Sequence, residues 1–333
     1  MKASAISNAN IALVKYWGKR NEELMLPYNS SVSMTAGGLN TYTTVEFDEK
    51  YQEDVFILNG KEFRKGTKEY DKYTGLFLDL VRKTAKTGLK AKIVSNNNFP
   101  TVAGLASSAS GFAALAAAVN KSLNLGLDDK GLSMLARRGS GSATRSVLGG
   151  FVEWKKGEKE DGSDCYAKQI ADPEFWPDFR MVACITSKEE KKVKSRAGMK
   201  QSIANSPMYK CWLNSIEEDV EKVKKGILEK DFTLVGGTSE ENCLKMHAVM
   251  MSTKPAIIYW NKATIEIMHS VISWRDEGLE SYFTIDAGPQ VKIICLEKDI
   301  DEIVKRCKQI QEIDDVVITK PGQGVEITDK HLF

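Results

Sequence analysis

The stretch PTVAGLASSAS, Pro100 to Ser110, decides how the rest of the sequence is read. It lies inside a run from Ile93 to Asn120 that contains no charged residue. Small residues let backbone N–H groups come close to a ligand, and a helix that starts here points its positive dipole end at the same place. Ser107 and Ser108 fall on the first helical turn, where hydroxyls can touch phosphate oxygens or a magnesium ion. No Gly-Lys-Ser/Thr closes the segment, so it is not a Walker loop. A tight packing corner is the plain alternative. The continuous apolar part, Phe112 to Val119, is far short of the roughly 20 residues that span a bilayer. It reads as a buried helix behind a polar loop.

Working outward, residues 1–47 read as strands joined by turns, and Val55-Phe56-Ile57-Leu58 runs into the turn Asn59-Gly60. A helix is expected near 67–86, with Tyr70, Tyr73, Leu76, Leu80 and Val81 on one face, then a strand at Leu89–Val94. Asp128 or Asp129 caps a further helix that stops at Gly139. Phe151–Trp154 and Met181–Ile185 read as strands, and the polar run Lys155–Asp164 as a hairpin or surface loop. From about 207 to 275 the pattern is helical, with Met208, Trp212, Ile216, Val220, Val223 and Ile227 in one stripe. Strands at Tyr282–Ile285 and Val291–Leu296 flank Asp286-Ala287-Gly288-Pro289-Gln290. A helix near 299–311 and the strand Val316–Ile318 complete the chain. This is a mixed α+β pattern, with a boundary between 175 and 200.

Composition narrows the function. The 333 residues suffice for two domains, and 42% hydrophobic with 28% charged residues is the make-up of a globular chain with a full core. Forty-seven basic against 45 acidic residues leave a formal charge of +2, too little clustered base for a protein that lives on nucleic-acid phosphates. The six cysteines are scattered with no CxxC, which fits reduced thiols in a cytoplasmic protein better than a disulfide framework or a zinc site. Met1-Lys2-Ala3-Ser4-Ala5 leads on without an apolar signal core, so neither secretion nor a membrane partner is expected.

Four other places could carry chemistry. Gly139-Ser140-Gly141-Ser142-Ala143-Thr144-Arg145-Ser146 offers hydroxyls and a guanidinium on a glycine-flexed segment, suited to a carboxylate or phosphate, or else a solvated linker. Lys15-Tyr16-Trp17-Gly18-Lys19 could wall a substrate or be a strand end with snorkelling lysines. Asp286, between a strand and a Gly-Pro turn, is placed as a positioned acid or base, though turn-stabilising aspartates are common. The basic run from Lys188 to Lys200 includes Lys191, Lys192, Lys194 and Arg196; a charge run is usually a solvated face, and that is the default for Lys188 and Lys191. His247, His269 and His331 show no ligand spacing. Neither GxSxG nor GxGxxG occurs, which removes support for Ser-His hydrolysis and nicotinamide chemistry.

Taken together, Asn10–Lys19, Leu26–Ser31, Pro100–Ser110, Gly139–Trp154, Ser195–Met199 and Thr284–Lys292 resemble the diphosphomevalonate decarboxylases of the GHMP kinase superfamily, in order and along essentially the whole chain. The resemblance implies a two-domain GHMP kinase fold, split as 1–183 and 184–333, with the active site in the cleft between the domains. It implies ATP-dependent decarboxylation of mevalonate 5-diphosphate to isopentenyl diphosphate, a lyase step of isoprenoid (lipid) biosynthesis in the mevalonate pathway. The family phosphorylates a tertiary 3-hydroxyl and then expels that phosphate with carbon dioxide. Alternatives within reach are a decarboxylase of the 5-monophosphate and a small-molecule kinase that does not decarboxylate.

By the same resemblance, Asp286 orients the 3-hydroxyl and takes its proton, Lys19 lies close to Asp286, and Arg145 holds the C1 carboxylate. Tyr16, Lys19, Ser140, Ser142, Ser195 and Arg196 grip the 5-diphosphate end. Ser95 and Asn97 line the nucleotide side, while Gly104, Leu105, Ala106, Ser107 and Ser108 cradle the ATP phosphates, with Ser108 as a magnesium ligand. ATP and Mg²⁺ are the implied cofactors and a homodimer the implied assembly. Two departures are mild: Thr144 stands where the family has Cys, and Gln290 where Asn is usual.

Overall fold

Small and β-branched residues dominate Lys2–Val14 and Ser31–Asp48, and both become long strands, largely buried along their length. They pair antiparallel from Lys2↔Glu46 to Val14↔Val32, with irregularities after Asn8 and Ala12. This computed structural model describes residues 1–67, 70–99, 107–187 and 191–333.

Around that pair an eight-stranded sheet forms. On one side Ser31–Asp48 pairs with Lys90–Asn97, which takes Val55–Leu58 in parallel and then the hairpin strand Lys61–Arg64. Its early half also pairs with Phe151–Trp154, followed by Ala167–Ala171. Helices Ser107–Ser122 and Asp129–Gly139 contribute Ala113, Ala116, Val119, Leu132 and Ala136 to a core shared with Val45, Phe47 and Ile93. Asp128 caps the second helix by accepting from the Gly131 N–H at 2.8 Å.

The second sheet runs in the order Tyr282–Ile285, Val291–Leu296, Phe179–Ile185, Asp315–Thr319, all antiparallel. Helices Lys262–Asp276 and Ile300–Cys307 pack into a core with one set of its residues, Val182, Phe283, Ile285 and Ile293 among them. The helical stretch expected from 207 to 275 is three helices, Tyr209–Glu229, Phe232–Met251 and Lys262–Asp276. The first two join Ile11, Leu13 and Trp17 of the first unit in one apolar cluster, so the two units share a core.

Two expectations shift. A split at 183/184 falls inside Phe179–Ile185, which belongs wholly to the second sheet, while Glu326–Thr328 returns to pair with the first strand (Ser4↔Thr328). The helix expected at 67–86 is Leu76–Ala85, preceded by a π-helical turn at Tyr70–Gly75. The wider turn carries an extra residue and rotates the face, so Phe77, Leu78 and Val81 are buried and Leu76 is exposed.

The return of the tail depends on Gly150. Its φ is +73°, its N–H donates to Gly322 at 2.9 Å, and its carbonyl accepts from Thr35 at 2.8 Å. An added Cβ would lie 2.2 Å from the Ala171 carbonyl oxygen. Gly150→Ala is therefore expected to cost more than about 2 kcal/mol, backbone strain plus a clash that only main-chain movement relieves. Gly38, at φ +89° with open space where a Cβ would go, isolates the strain alone; Gly38→Ala is expected to cost about 1 kcal/mol. Urea midpoints of the two variants check this, and equal losses would remove the Ala171 contact as a cause.

Candidate active site

Strand ends supply the centre. Asp286 follows Tyr282–Ile285 directly, and Lys15 follows Lys2–Val14 directly. Lys15 Nζ donates to Asp286 Oδ1 at 2.8 Å and to the Ala12 carbonyl at 2.8 Å. Lys292, in the next strand, reaches Asp286 Oδ2 at 3.1 Å. Both lysine side chains are 1% exposed, against 30% for Asp286. Burial by itself would push the Asp286 carboxyl up, but the two ammoniums override it and hold the group well below the usual carboxylate range.

The expected neighbour of Asp286 was Lys19, and the structure corrects this. Gly18 takes φ +113°, the chain turns, and Lys19 Nζ bonds Glu22 Oε2 at 2.6 Å. Burial lowers the Lys19 pKa while Glu22 opposes the shift. The cation on Asp286 from this segment is Lys15.

A cavity of about 620 Å³ extends from this carboxylate between the two units. Every described candidate lines it: Asp286, Lys19, Arg145, Tyr16, Ser140, Ser142, Ser195, Arg196, Ser95, Asn97, Ser107 and Ser108. Gly104, Leu105 and Ala106 lie outside the described residues. The Gly139–Ser146 segment, expected as a flexed loop, is a buried 3₁₀ helix, Gly141–Val147, which holds Arg145 rigidly. Arg145 donates to Asn10 Oδ1 from Nε and Nη2 (3.3 and 3.1 Å) and to Ser31 Oγ from Nη1 (2.5 Å). Those bonds use one N–H of each nitrogen, and the rest of the five-donor fork is available to a ligand. Burial draws its pKa down to about 10, and it stays charged at neutral pH.

The far wall is built for an anion. Tyr16 has a buried hydroxyl with no partner among the described residues, and burial pushes its phenol above the ordinary value. Ser140 Oγ and Ser142 Oγ are 3.3 Å apart. Arg196 Nη2 donates to the Gly139 carbonyl at 2.7 Å, tying helix Ser195–Asn205 across the cleft. Lys191, from the run expected to be a solvated face, turns inward and bonds Ser195 Oγ (2.9 Å) and the Ala287 carbonyl (2.6 Å). At the other end, Ser95 Oγ bonds Thr43 Oγ1 at 2.8 Å and Asn97 Oδ1 accepts from Thr41 at 2.7 Å. Ser107 and Ser108 open helix Ser107–Ser122 beside an apolar recess of Phe56, Leu58, Phe63, Ile93 and Phe112.

Comparison with known proteins fits this geometry. Family models for the diphosphomevalonate decarboxylase-like N-terminal domain and the mevalonate 5-diphosphate decarboxylase C-terminal domain match residues 7–167 and 181–328. The chain belongs to the diphosphomevalonate decarboxylase family. Diphosphomevalonate decarboxylase of Candida albicans is 38% identical over 91% of this chain and 86% of its own length. A solved complex with MVAPP, AMPPCP and magnesium is 41% identical, with a TM-score of 0.92 and 99% of each chain covered. Mevalonate diphosphate decarboxylase from Enterococcus faecalis, solved to describe mevalonate diphosphate mediated ATP binding, is 40% identical, with a TM-score of 0.91 and the same coverage.

Within this decarboxylase family the centre was only partly legible from sequence. Lys15 stood in a candidate substrate wall with no tie to Asp286, Lys292 stood in the Thr284–Lys292 motif without a role, and Glu22 went unnoticed because an acid in a turn has no spacing signal. Among the described residues no group of three His, Cys, Asp or Glu could cage a metal.

Behind Asp286 lies His247, 1% exposed, with its ring 4.9 Å from that of Trp260 and Nε2 unpartnered among the described residues. Burial, then Lys15, lowers its pKa from 6.5 to about 3, so it is neutral in the folded state. The unfolded chain protonates first as pH falls, so this contribution to stability is full above pH 6.5 and drains toward pH 3. Between pH 6.5 and 4 the parent is expected to lose roughly 3 kcal/mol more than His247→Gln in denaturant titrations. Parallel losses would exclude His247 as the group responsible.

Proposed function

We propose that this chain catalyses the ATP-dependent decarboxylation of mevalonate 5-diphosphate to isopentenyl diphosphate, releasing ADP, phosphate and carbon dioxide. The observation that carries the reading is the meeting, in one cavity, of an ionised Asp286, a rigid Arg145 and the hydroxyl-bearing start of helix Ser107–Ser122. Family membership supports it, as do relatives solved with the corresponding ligands.

Asp286 accepts a hydrogen bond from the 3-hydroxyl, orients its oxygen toward the γ-phosphorus and takes the proton. Lys15, on the same carboxylate, steadies the negative charge that crosses between donor and acceptor. Hydroxide is a poor leaving group; phosphorylation replaces it with phosphate. As the C3–O bond breaks, positive character grows at a tertiary carbon. The C1–C2 electron pair then forms the new double bond and carbon dioxide leaves. Arg145 holds the C1 carboxylate in line until that bond breaks.

Tyr16, Lys19, Ser140, Ser142, Ser195 and Arg196 take the 5-diphosphate, with Glu22 yielding Lys19 to it. Ser95, Asn97, Ser107 and Ser108 face the nucleotide, and the apolar recess accepts a flat base. Ser108 would be the hydroxyl that holds a magnesium ion, which when bound would neutralise charge on the nucleotide phosphates. Among the described residues no helix is long and apolar enough to cross a membrane. The six cysteines are free thiols, which suits a cytoplasmic home. A homodimer is part of the same reading, supported by the resemblance.

Incubation with ATP, Mg²⁺ and mevalonate 5-diphosphate is expected to release carbon dioxide and ADP in equal amounts. ADP alone would make the chain a superfamily kinase, and faster turnover of the 5-monophosphate would reassign the substrate. Asp286→Asn is expected to lower kcat by about 10³-fold with ATP binding retained. Lys15→Met should act mainly on kcat and Lys19→Met mainly on KM for the diphosphate. The reverse pattern would restore Lys19 as the partner of the reacting centre.

A further inference from the structure

We propose that Lys292 is a positioning residue for this reaction, fixing the Asp286 carboxylate from behind the cavity wall and remaining its counter-ion when ligands fill the cleft. The inference rests on the proposed decarboxylation and adds a residue that does not itself meet the substrate. Asp286, Lys15, Arg145 and Lys191 all line the cavity, and Lys292 does not. Its side chain is 1% exposed, its ammonium lies 3.1 Å from Asp286 Oδ2, and it also reaches the Gln290 carbonyl at 3.3 Å.

Placement follows from the sheet. Thr284 pairs with Lys292 across the two strands, so the lysine lies on the strand next to the aspartate's, one residue after its start at Val291. Gln290, in the turn between them, fixes that turn: its side-chain oxygen accepts from Thr186 N and Oγ1 (both 2.9 Å), and its amide donates to the Ser187 carbonyl (2.6 Å). A carboxylate torsion is broad, so a carboxylate held by one oxygen swings. With Lys15 on Oδ1 and Lys292 on Oδ2, both oxygens are fixed.

Charge gives the second argument. The groups whose charge or titration Asp286 feels are Lys15, Lys292, Arg145 and Lys191, with Cys243 and His247 on helix Phe232–Met251. Burial keeps the thiol protonated and the imidazole neutral, so neither supplies a countercharge. Once a nucleotide and a substrate with several negative charges enter, Lys15, Arg145 and Lys191, which face the cavity, are shared with them. A partly buried carboxylate in that company tends to take up a proton. Lys292, outside the cavity, keeps its hold on Asp286 throughout turnover, so the acceptor stays ionised when the hydroxyl needs it.

The test is Lys292→Met in the full-length chain, read in two ways. Carboxyl-carbon NMR titration of the ligand-free protein should show Asp286 ionised throughout pH 7 to 4 in the parent and titrating at least about tenfold more readily in proton concentration in the variant. Steady-state kinetics should show kcat down by about 10- to 100-fold, KM for ATP and mevalonate 5-diphosphate within about 3-fold, and a new acid limb in the kcat profile. In an Asp286→Asn background the same change should cost nothing further in kcat. An unchanged titration and pH profile, with only stability lowered, would overturn the proposal. Lys292→Gln repeats the measurement if the first variant does not fold, and failure of both to fold would assign the residue to folding and equally overturn it. Should the parent release no carbon dioxide, the functional reading fails on its own, and the titration still decides the role of Lys292.

Discussion

One carboxylate between two buried ammoniums organises the cleft. Lys15 comes from the first sheet, Asp286 and Lys292 from the second, so the electrostatic centre is also the seam between the two units. Buried ion pairs often fail to recover their desolvation cost, and such a cluster needs support beyond Coulomb attraction. Here that support is polar and layered. The Lys15 N–H donates to Asn242 Oδ1 at 2.8 Å, and its carbonyl accepts from Asn29 at 2.8 Å. Asn242 is in turn held by Asp219 at 2.7 Å, itself paired with Lys245. Strand, helix and helix are thereby tied to the backbone of one lysine.

The same arrangement leaves the cavity with an excess of positive charge. Arg145, Lys191 and Lys15 face it, and Asp286 is the only carboxylate among its described lining residues. Burial of cations in such a place is costly unless an anion arrives, which concentrates phosphates and carboxylates there and pre-organises the charges a phosphoryl transfer needs. Structural rigidity follows from what holds each cation. Arg145 is set by Asn10 and Ser31, Lys191 by Ser195 and Ala287, and Arg196 by Gly139. A ligand meets donors already in place, with little ordering left to do.

Much of this was legible in the sequence, and the reasons for the rest are particular. The strand ending at Ile285 and the helix closing at Gly139 carried local signals, since periodicity and capping act over a few residues. Most of the segments that carried the resemblance line one cavity. What failed depended on where the chain turns. Lys15 and Lys19 are four residues apart, and the turn at Gly18, with its positive φ, separates the lysine that meets Asp286 from the one that meets Glu22. The π-helical turn before Leu76 shifted a helical face for a similar reason. The pairing of Glu326–Thr328 with the first strand has no local signature, because its partner is more than 300 residues away in sequence.

Register explains why the centre tolerates so little rearrangement. Side chains alternate along a strand, so Thr284 and Asp286 share a side while Ile285 turns to the core. Thr284 Oγ1 donates to the Ala12 carbonyl at 3.3 Å, and Lys15 Nζ donates to that same oxygen. One carbonyl of the first sheet thus locates both the strand that bears the aspartate and the lysine that meets it. A slip of one residue would send Asp286 into the apolar layer around Phe283 and Ile285, and put Ile285 where the carboxylate belongs. The apolar core therefore fixes the electrostatics: burying Ile285 and Phe283 correctly is what points the charge at the cleft.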